Sequence, residues 1–259
     1  MGETQKEPSL PIEGIFASAW FLLRNSDQDI SYFIVEPIYR RIKDLAIDLH
    51  KDFSRKVTGD PYFKHILYTA YLCFRHANDY GFSEDSQRNV FIGSAFFHDI
   101  LELKRNNHES FTEDDLYKQL EKNRINPDEA KKIAAIVNFL TPEKKDPDTL
   151  SGQWMEKKRI DFNRIMDKKP SDELSLEMLE MAKQVKIADE AANLRETLEE
   201  VKSHKDGPDK VIHDHKPFSS RVAVFEERIG IITQRYPKHP LLPQLKNDLF
   251  FLKECLPRS

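Results

Sequence analysis

Apolar residues recur every three or four positions along most of the chain, the spacing that puts them on one face of a helix. No stretch alternates apolar and polar residues as a half-buried strand would. Gly and Pro residues stand between most of the helical stretches, as expected at helix ends. We therefore predict an all-α fold. Its helices are expected over about 29–56, 62–80, 84–103, 113–122, 127–140, 154–166, 174–202, 219–235 and 241–255.

The segment VFIGSAFFHDILEL, residues 90–103, is apolar nearly all round and is predicted to be the central buried helix. Residues 203–217 are polar, so the two helices after them are expected to form a C-terminal extension, 203–259. The motif-bearing core is then about 35–202, with further helical chain before it. A chain of 259 residues can bury a substantial core, and we predict one domain over 1–259.

Composition narrows the class of protein. The net charge is −4, which gives no general attraction to nucleic acid or to an anionic membrane. The two cysteines, Cys73 and Cys255, do not form a close pair, so we predict a reduced, cytoplasmic protein. The apolar run IFASAWFLL, residues 15–23, is about half as long as a membrane span. We therefore expect neither nucleic acid nor membrane as a partner.

The first candidate for chemistry is the adjacent pair His98 and Asp99, which ends the apolar run GSAFF. A buried carboxylate without a partner is costly, so Asp99 calls for a cation. A divalent metal ion would supply one, and imidazole and carboxylate are both suitable ligands. A simple His-Asp hydrogen bond at a helix end is the alternative. Glu102 is expected on the same helical face, where it can move protons for a hydrolase or simply face solvent.

Two other predicted helices carry similar groups. His65 lies early in the helix over 62–80, and Asp189 lies in the apolar context KIAD. Asn193 follows Asp189 by one helical turn and therefore shares its face. The tripeptide 213–215, His-Asp-His, has a metal-like composition but lies in the polar connection, where a solvated loop is the expected structure.

These residues occur within an ordered set of motifs. The stretch 49–65 reads H-x-x-x-x-R-K-x-x-G-x-P-Y-x-x-H from its second residue, and H-D-x-x-E follows at 98–102. V-x-x-x-T stands at 137–141, and K-x-A-D-x-x-x-N-L-R stands at 186–195. In this order and rough spacing, the set resembles the HD hydrolase domain of the RelA/SpoT enzymes and the single-domain alarmone hydrolases. The resemblance covers about residues 35–200 of the chain.

The resemblance implies an HD-domain helical bundle that holds one Mn²⁺ and removes pyrophosphate from the 3′ position of guanosine tetraphosphate or pentaphosphate. It implies that Glu102 orients the attacking water or carries its proton and that Asn193 holds the sugar-phosphate region. Arg55 and Lys56 match the family's pair at the base and phosphate end of the pocket, although a solvated helix end is the interpretation from their local sequence alone. The implied metal ligands are His65, His98, Asp99 and Asp189.

Three departures from the family's pattern bear on activity. Leu103 stands where the family has a second acidic residue, and Ile66 stands in place of Pro. Glu190 replaces a basic residue, which is expected to make the pocket rim less attractive to a highly charged nucleotide. Three hypotheses therefore stay open: a hydrolase of this or another phosphorylated nucleotide, a nucleotide-sensing module that has lost turnover, and a helical interaction protein. The oligomeric state, a homo-oligomer included, is open as well.

Overall fold

The computed structural model describes residues 36–54, 61–103, 111–142, 154–171, 174–203 and 218–256. Throughout these ranges the regular secondary structure is helical, which confirms the all-α prediction. The first five helices are α1 (Pro37–His50), α2 (Phe63–His76), α3 (Asp85–Phe97), α4 (Glu113–Lys122) and α5 (Pro127–Leu140). The others are α6 (Trp154–Asp167), α7 (Leu176–Ser203), α8 (Phe218–Arg235) and α9 (Leu242–Glu254).

Local capping chemistry sets several of the predicted boundaries. Thr112 caps α4, because its hydroxyl accepts a hydrogen bond from the Asp115 N–H while the Asp115 carboxylate accepts from the Thr112 N–H. Asn126 caps α5 through its side-chain oxygen, and Pro127 occupies the first helical position, where it needs no hydrogen-bond donor. Both starts agree with the prediction from sequence.

The helix α3 is the central one, with α1, α2, α5 and α7 packed around it. Eight consecutive residues, 90–97, are buried, as the all-round apolar pattern predicted. Gly93 lets α5 approach closely: a Cβ atom there would lie 2.6 Å from Cδ1 of Ile133. The long helix α7 crosses this core and also contacts α6, α8 and α9. Side chains from α2, α3 and α7 can therefore meet inside the fold.

Three predicted helices end earlier than expected: α1 ends at His50 rather than near 56, α2 ends at His76 rather than at 80, and α3 also falls short. The helix α3 ends at Phe97, with His98 as its C-cap, and residues 98–102 form successive turns rather than the continuous helix predicted through Leu103. Backbone N–H groups of Ile100 and Glu102 donate three residues back, to Phe97 and Asp99, which tightens the chain at this point. The His-Asp pair therefore lies at a helix end and is followed by a series of tight turns.

The extension 203–259 contributes two helices that pack on the core. Arg195 of α7 and Asp248 of α9 form a two-pronged ion pair, with Nε–Oδ2 and NH2–Oδ1 distances of 2.9 Å each. His239, between α8 and α9, donates from Nε2 to the Gln184 side chain of α7, and its Nδ1 accepts from the Leu241 N–H. The two C-terminal helices are thus fixed to α7 by polar contacts as well as apolar ones.

Several sequence-based predictions fall outside the described residues. They concern Arg55, Lys56, the apolar run at 15–23, the start of the first predicted helix at 29–35, and the His-Asp-His tripeptide at 213–215. Among the helices that are described, none has both the length and the apolar character needed to cross a membrane.

His239 is expected to make stability depend on pH. Burial, with a smaller contribution from His76, lowers the pKa of His239 from 6.5 to about 4. In the unfolded chain, His239 therefore takes up a proton near pH 6.5, whereas in the folded protein it does so only near pH 4. Because the unfolded state binds the proton first, the free energy of unfolding falls as the pH drops through that range. A shift of this size corresponds to about 2–3 kcal/mol of unfolding free energy between pH 7 and pH 4.

Urea unfolding between pH 7 and pH 4.5 tests this expectation against His239→Gln. The variant keeps a donor towards Gln184 but does not titrate, so its unfolding free energy should fall less steeply over this pH range. Parallel pH profiles of the two proteins would contradict the assignment of this titration to His239.

Candidate metal centre

Three buried side chains, carried by three different helices, lie close together inside the fold. His65 is on α2, His98 caps α3 and Asp189 is on α7, and one donor atom from each lies within 4.8 Å of the others. Nε2 of His65 is 3.2 Å from Oδ1 of Asp189, and Nε2 of His98 is 3.5 Å from the same oxygen. Two imidazoles and a carboxylate at this separation can hold a divalent cation.

Hydrogen bonds at Nδ1 fix the orientation of the two imidazole rings. Nδ1 of His98 lies 2.8 Å from the carbonyl oxygen of Ala95, so it donates there and leaves Nε2 as the basic nitrogen. Nδ1 of His65 lies 3.0 Å from Oε1 of Glu196 on α7, an arrangement that orients metal-binding histidines in many proteins. Both rings therefore direct Nε2 to the same point, as ligands of a metal ion must.

Asp99 lies at the rim of this cluster. Its Oδ2 atom is 3.1 Å from Nε2 of His98 and 3.8 Å from Nε2 of His65. The same oxygen accepts a hydrogen bond of 2.6 Å from the Tyr62 hydroxyl. The compact group that could hold a metal is thus His65, His98 and Asp189, with the Asp99 carboxylate beside both histidines.

Asp189 is held on both sides. The ammonium group of Lys186 lies 2.6 Å from Oδ2, and the amide of Asn193 donates to Oδ1 at 2.6 Å. Burial by itself would raise the pKa of Asp189, but Lys186 and the two histidines outweigh it and hold the pKa well below its ordinary value. Asn193, which is expected to contact substrate, lines the adjacent cavity and also donates to the candidate metal ligand Asp189.

His98 needs a cation near it or a proton on it. Burial opposes its charged form, yet the Asp99 and Asp189 carboxylates prevail and hold the pKa of His98 well above 6.5. Within the described part of the chain, the buried Nε2 atom of His98 forms no well-directed hydrogen bond, although both carboxylates lie within 3.5 Å. A divalent ion at this point would satisfy that nitrogen and the two carboxylates together, so the residues present fit a metal.

The cluster opens into a cavity of about 250 Å³, which is near the lower end for small-molecule sites. Four basic side chains and five carboxylates line it among the described residues, so a divalent ion would change the net charge of the lining from −1 to +1. The basic side chains are Lys158, Lys186, Arg221 and Arg228. A site with this composition can accept a small anion once it holds a metal.

Glu102 is among the residues that line this cavity, whereas Leu103 is not. Glu102 is exposed at the mouth, but its carboxyl lies among enough atoms that desolvation, followed by the nearby Asp99 charge, raises its pKa to about 7. A carboxyl group that titrates near neutrality can both take up and release a proton. Leu103 is half-buried and packs against the apolar core.

The expected effect of Glu190 needs a correction. Glu190 was predicted to make the rim less attractive to anions, but its carboxylate is buried and pairs with the Arg228 guanidinium of α8. The ammonium group of Lys186 lies 3.5 Å from the same carboxylate. The negative charge of Glu190 is therefore compensated inside the wall of the cavity by a residue 38 positions along the chain.

Sequence reasoning missed four groups that this site uses: Tyr62, Lys186, Glu196 and the cavity-lining face of α8. Tyr62 and Lys186 belong to the motifs but carried no assigned role. The α8 face has a readable signal, because Arg221, Val224, Phe225 and Arg228 follow the i, i+3, i+4, i+7 spacing of one helical face. Comparison of the chain with protein-family models and with curated protein sequences found no match.

Proposed function

We propose that the protein is a metal-dependent phosphohydrolase of the HD type and that it acts on a phosphorylated nucleotide. The buried His65, His98 and Asp189 cluster carries this proposal, because it can hold a metal at the end of a cavity with basic groups in its lining. The motif resemblance adds the substrate class, with 3′-pyrophosphate removal from guanosine tetraphosphate as the reaction. It also adds Mn²⁺ as the ion and Asp99 as the fourth ligand.

In this proposal each residue around the metal site has a separate role. Glu196 and the Ala95 carbonyl orient the two histidines, and Lys186 and Asn193 fix the Asp189 carboxylate. The Tyr62 hydroxyl orients Asp99. A bound divalent ion supplies a Lewis acid for a phosphate oxygen and lowers the pKa of a water molecule. Glu102, at the cavity mouth, accepts the proton of the attacking water.

The second candidate is a nucleotide-binding module with little or no turnover. Leu103 favours it, because an apolar side chain packed against the core replaces the family's second acidic residue. The metal-holding group would be kept in such a module, since metal and nucleotide binding do not need that carboxylate. The two candidates therefore differ in turnover and agree in binding.

A panel assay separates them. With Mn²⁺ present, release of pyrophosphate and phosphate is measured for guanosine tetraphosphate and for nucleotides that carry one mono-, di- or triphosphate group. We expect turnover, highest on guanosine tetraphosphate, and none in Asp189→Asn, which keeps the shape of the side chain but lacks its charge. A protein that binds Mn²⁺ and nucleotide without turning over any of them would decide for the binding module.

A further inference from the structure

One face of α8 forms the wall of the cavity away from the motif-bearing helices. Arg221, Val224, Phe225 and Arg228 all line the cavity, and their spacing puts them on one side of the helix. The face is basic at both ends and apolar in the middle. The family resemblance ends near residue 200, so it assigns no role to any residue of α8.

The C-terminal end of this face is connected to the metal-holding cluster. The guanidinium of Arg228 pairs with Glu190 and donates to the Lys158 carbonyl oxygen at 2.7 Å. The ammonium group of Lys186 lies between Glu190 and Asp189, at 3.5 and 2.6 Å. Arg228 is therefore linked to the candidate metal ligand Asp189 through three successive ionic contacts.

The N-terminal end of the face, at Arg221, lies two helical turns before Arg228. The Arg221 guanidinium donates to the Thr197 hydroxyl at 2.7 Å and lies 3.4 Å from the Glu200 carboxylate. Thr197 is one turn beyond Asn193 on α7, and its hydroxyl donates to the Asn193 carbonyl oxygen. Arg221 is thus held firmly in the cavity lining at the end remote from Arg228.

The cavity wall contains buried polar atoms without partners. Nε of Arg228 and Oε2 of Glu190 are both buried, and neither forms a hydrogen bond within the described part of the chain. Such atoms are rare in proteins and usually indicate a bound water or ligand. Lys158, on α6, adds an exposed ammonium group to the same lining. The wall therefore has cationic groups that line the cavity and unsatisfied polar atoms buried behind its lining.

We propose that α8 and Lys158 form a second anion-binding half of the site and so determine which substrates bind. Arg221 and Lys158 take an anionic group of the substrate that is not the one undergoing hydrolysis, while Val224 and Phe225 contact the apolar part between the two. The substrate class is then an organic phosphate with separated anionic groups, in preference to inorganic pyrophosphate or a simple monoester. This inference rests on the proposed function, since the other anionic group lies at the metal.

Binding measurements test the inference without turnover. Calorimetric titration in the presence of Mn²⁺, in a Glu102→Gln background that suppresses hydrolysis, compares guanosine tetraphosphate with inorganic pyrophosphate, which can fill only the metal half. Arg221→Gln and Lys158→Gln should each weaken guanosine tetraphosphate binding by about 10–100-fold, the range of a charged hydrogen bond. Neither should change the affinity for pyrophosphate or for Mn²⁺.

The matched control is Arg235→Gln, on the same helix but paired with Asp167 and the Met166 carbonyl oxygen outside the cavity. It should bind both ligands as the Glu102→Gln parent does. Lys158→Gln guards against misfolding of Arg221→Gln, because Lys158 is exposed. Unchanged guanosine tetraphosphate binding in a folded Lys158→Gln and Arg221→Gln, or equal weakening of both ligands, would overturn the inference.

The Glu102→Gln parent, in which α8 and Lys158 are unchanged, separates this inference from the function on which it rests. Binding of Mn²⁺ and pyrophosphate, but not of guanosine tetraphosphate, would overturn the role of α8 and leave the metal-dependent function standing. Binding of neither Mn²⁺ nor pyrophosphate would overturn the proposed function itself.

Discussion

Addition of Mn²⁺ is expected to raise the melting temperature of the wild-type protein by about 5–10 °C over the same protein in chelator. An ion that binds only the folded state at about 100 times its dissociation constant contributes about 2.7 kcal/mol. For a chain of this size, each kcal/mol moves the melting temperature by about 2–4 °C. The effect should be large because the Asp99 and Asp189 carboxylates lie close together beside His98 in a buried space, where a divalent ion would compensate their negative charge. His98→Ala should erase the difference.

The control for this variant is His76→Ala. His76 lies on α2, the same helix as His65, but its Nδ1 atom bonds to the Asp79 carboxylate away from the cluster. The variant should keep the full response to Mn²⁺ and chelator. A melting temperature that does not change when metal is removed from a protein shown to be loaded would contradict the metal centre. Equal responses of His76→Ala and His98→Ala would do so as well.

The sequence identified the site residues whose local setting is unusual. His98, Asp99 and Asp189 each follow a run of apolar residues, and a charged group in that position needs a compensating partner. The starts of α4 and α5 could also be placed, since the caps Thr112 and Asn126 act within four residues. The end of α3 at Phe97 was missed, because apolar residues continue to Leu103 and the pattern alone does not register a series of turns.

Partners that are distant along the chain left no local signal. Glu196 contacts His65 across 131 positions, and Tyr62 contacts Asp99 across 37. Glu190 was misjudged for the same reason, because its compensating charge comes from Arg228 on a helix outside the recognised motifs. A residue's charge can be read from the sequence, but the net charge of a cavity wall depends on which helices pack together.

Glu102 is the proposed proton acceptor, and Glu102→Gln should be the decisive variant for catalysis. It removes the proton acceptor but keeps the size of the side chain. Positioned acid–base groups contribute about 10²–10⁴-fold, and turnover should fall by about that factor while Mn²⁺ content stays unchanged. Glu254→Gln, at the exposed end of α9, is the control and should keep wild-type turnover. Undiminished turnover in Glu102→Gln would assign the proton transfer to another group.

Leu103→Asp tests the missing carboxylate, and the packing of Leu103 changes what is expected of it. Because Leu103 contacts the apolar core, Asp at this position should lower the unfolding free energy by about 1–3 kcal/mol. Leu103→Asn separates this cost from the effect of charge, since it carries a similar polar group without the negative charge. If the lost acidic residue limits turnover, folded Leu103→Asp should hydrolyse guanosine tetraphosphate faster than folded Leu103→Asn. Equal rates in the two variants would mean that Glu102 alone meets the need for an acid–base group.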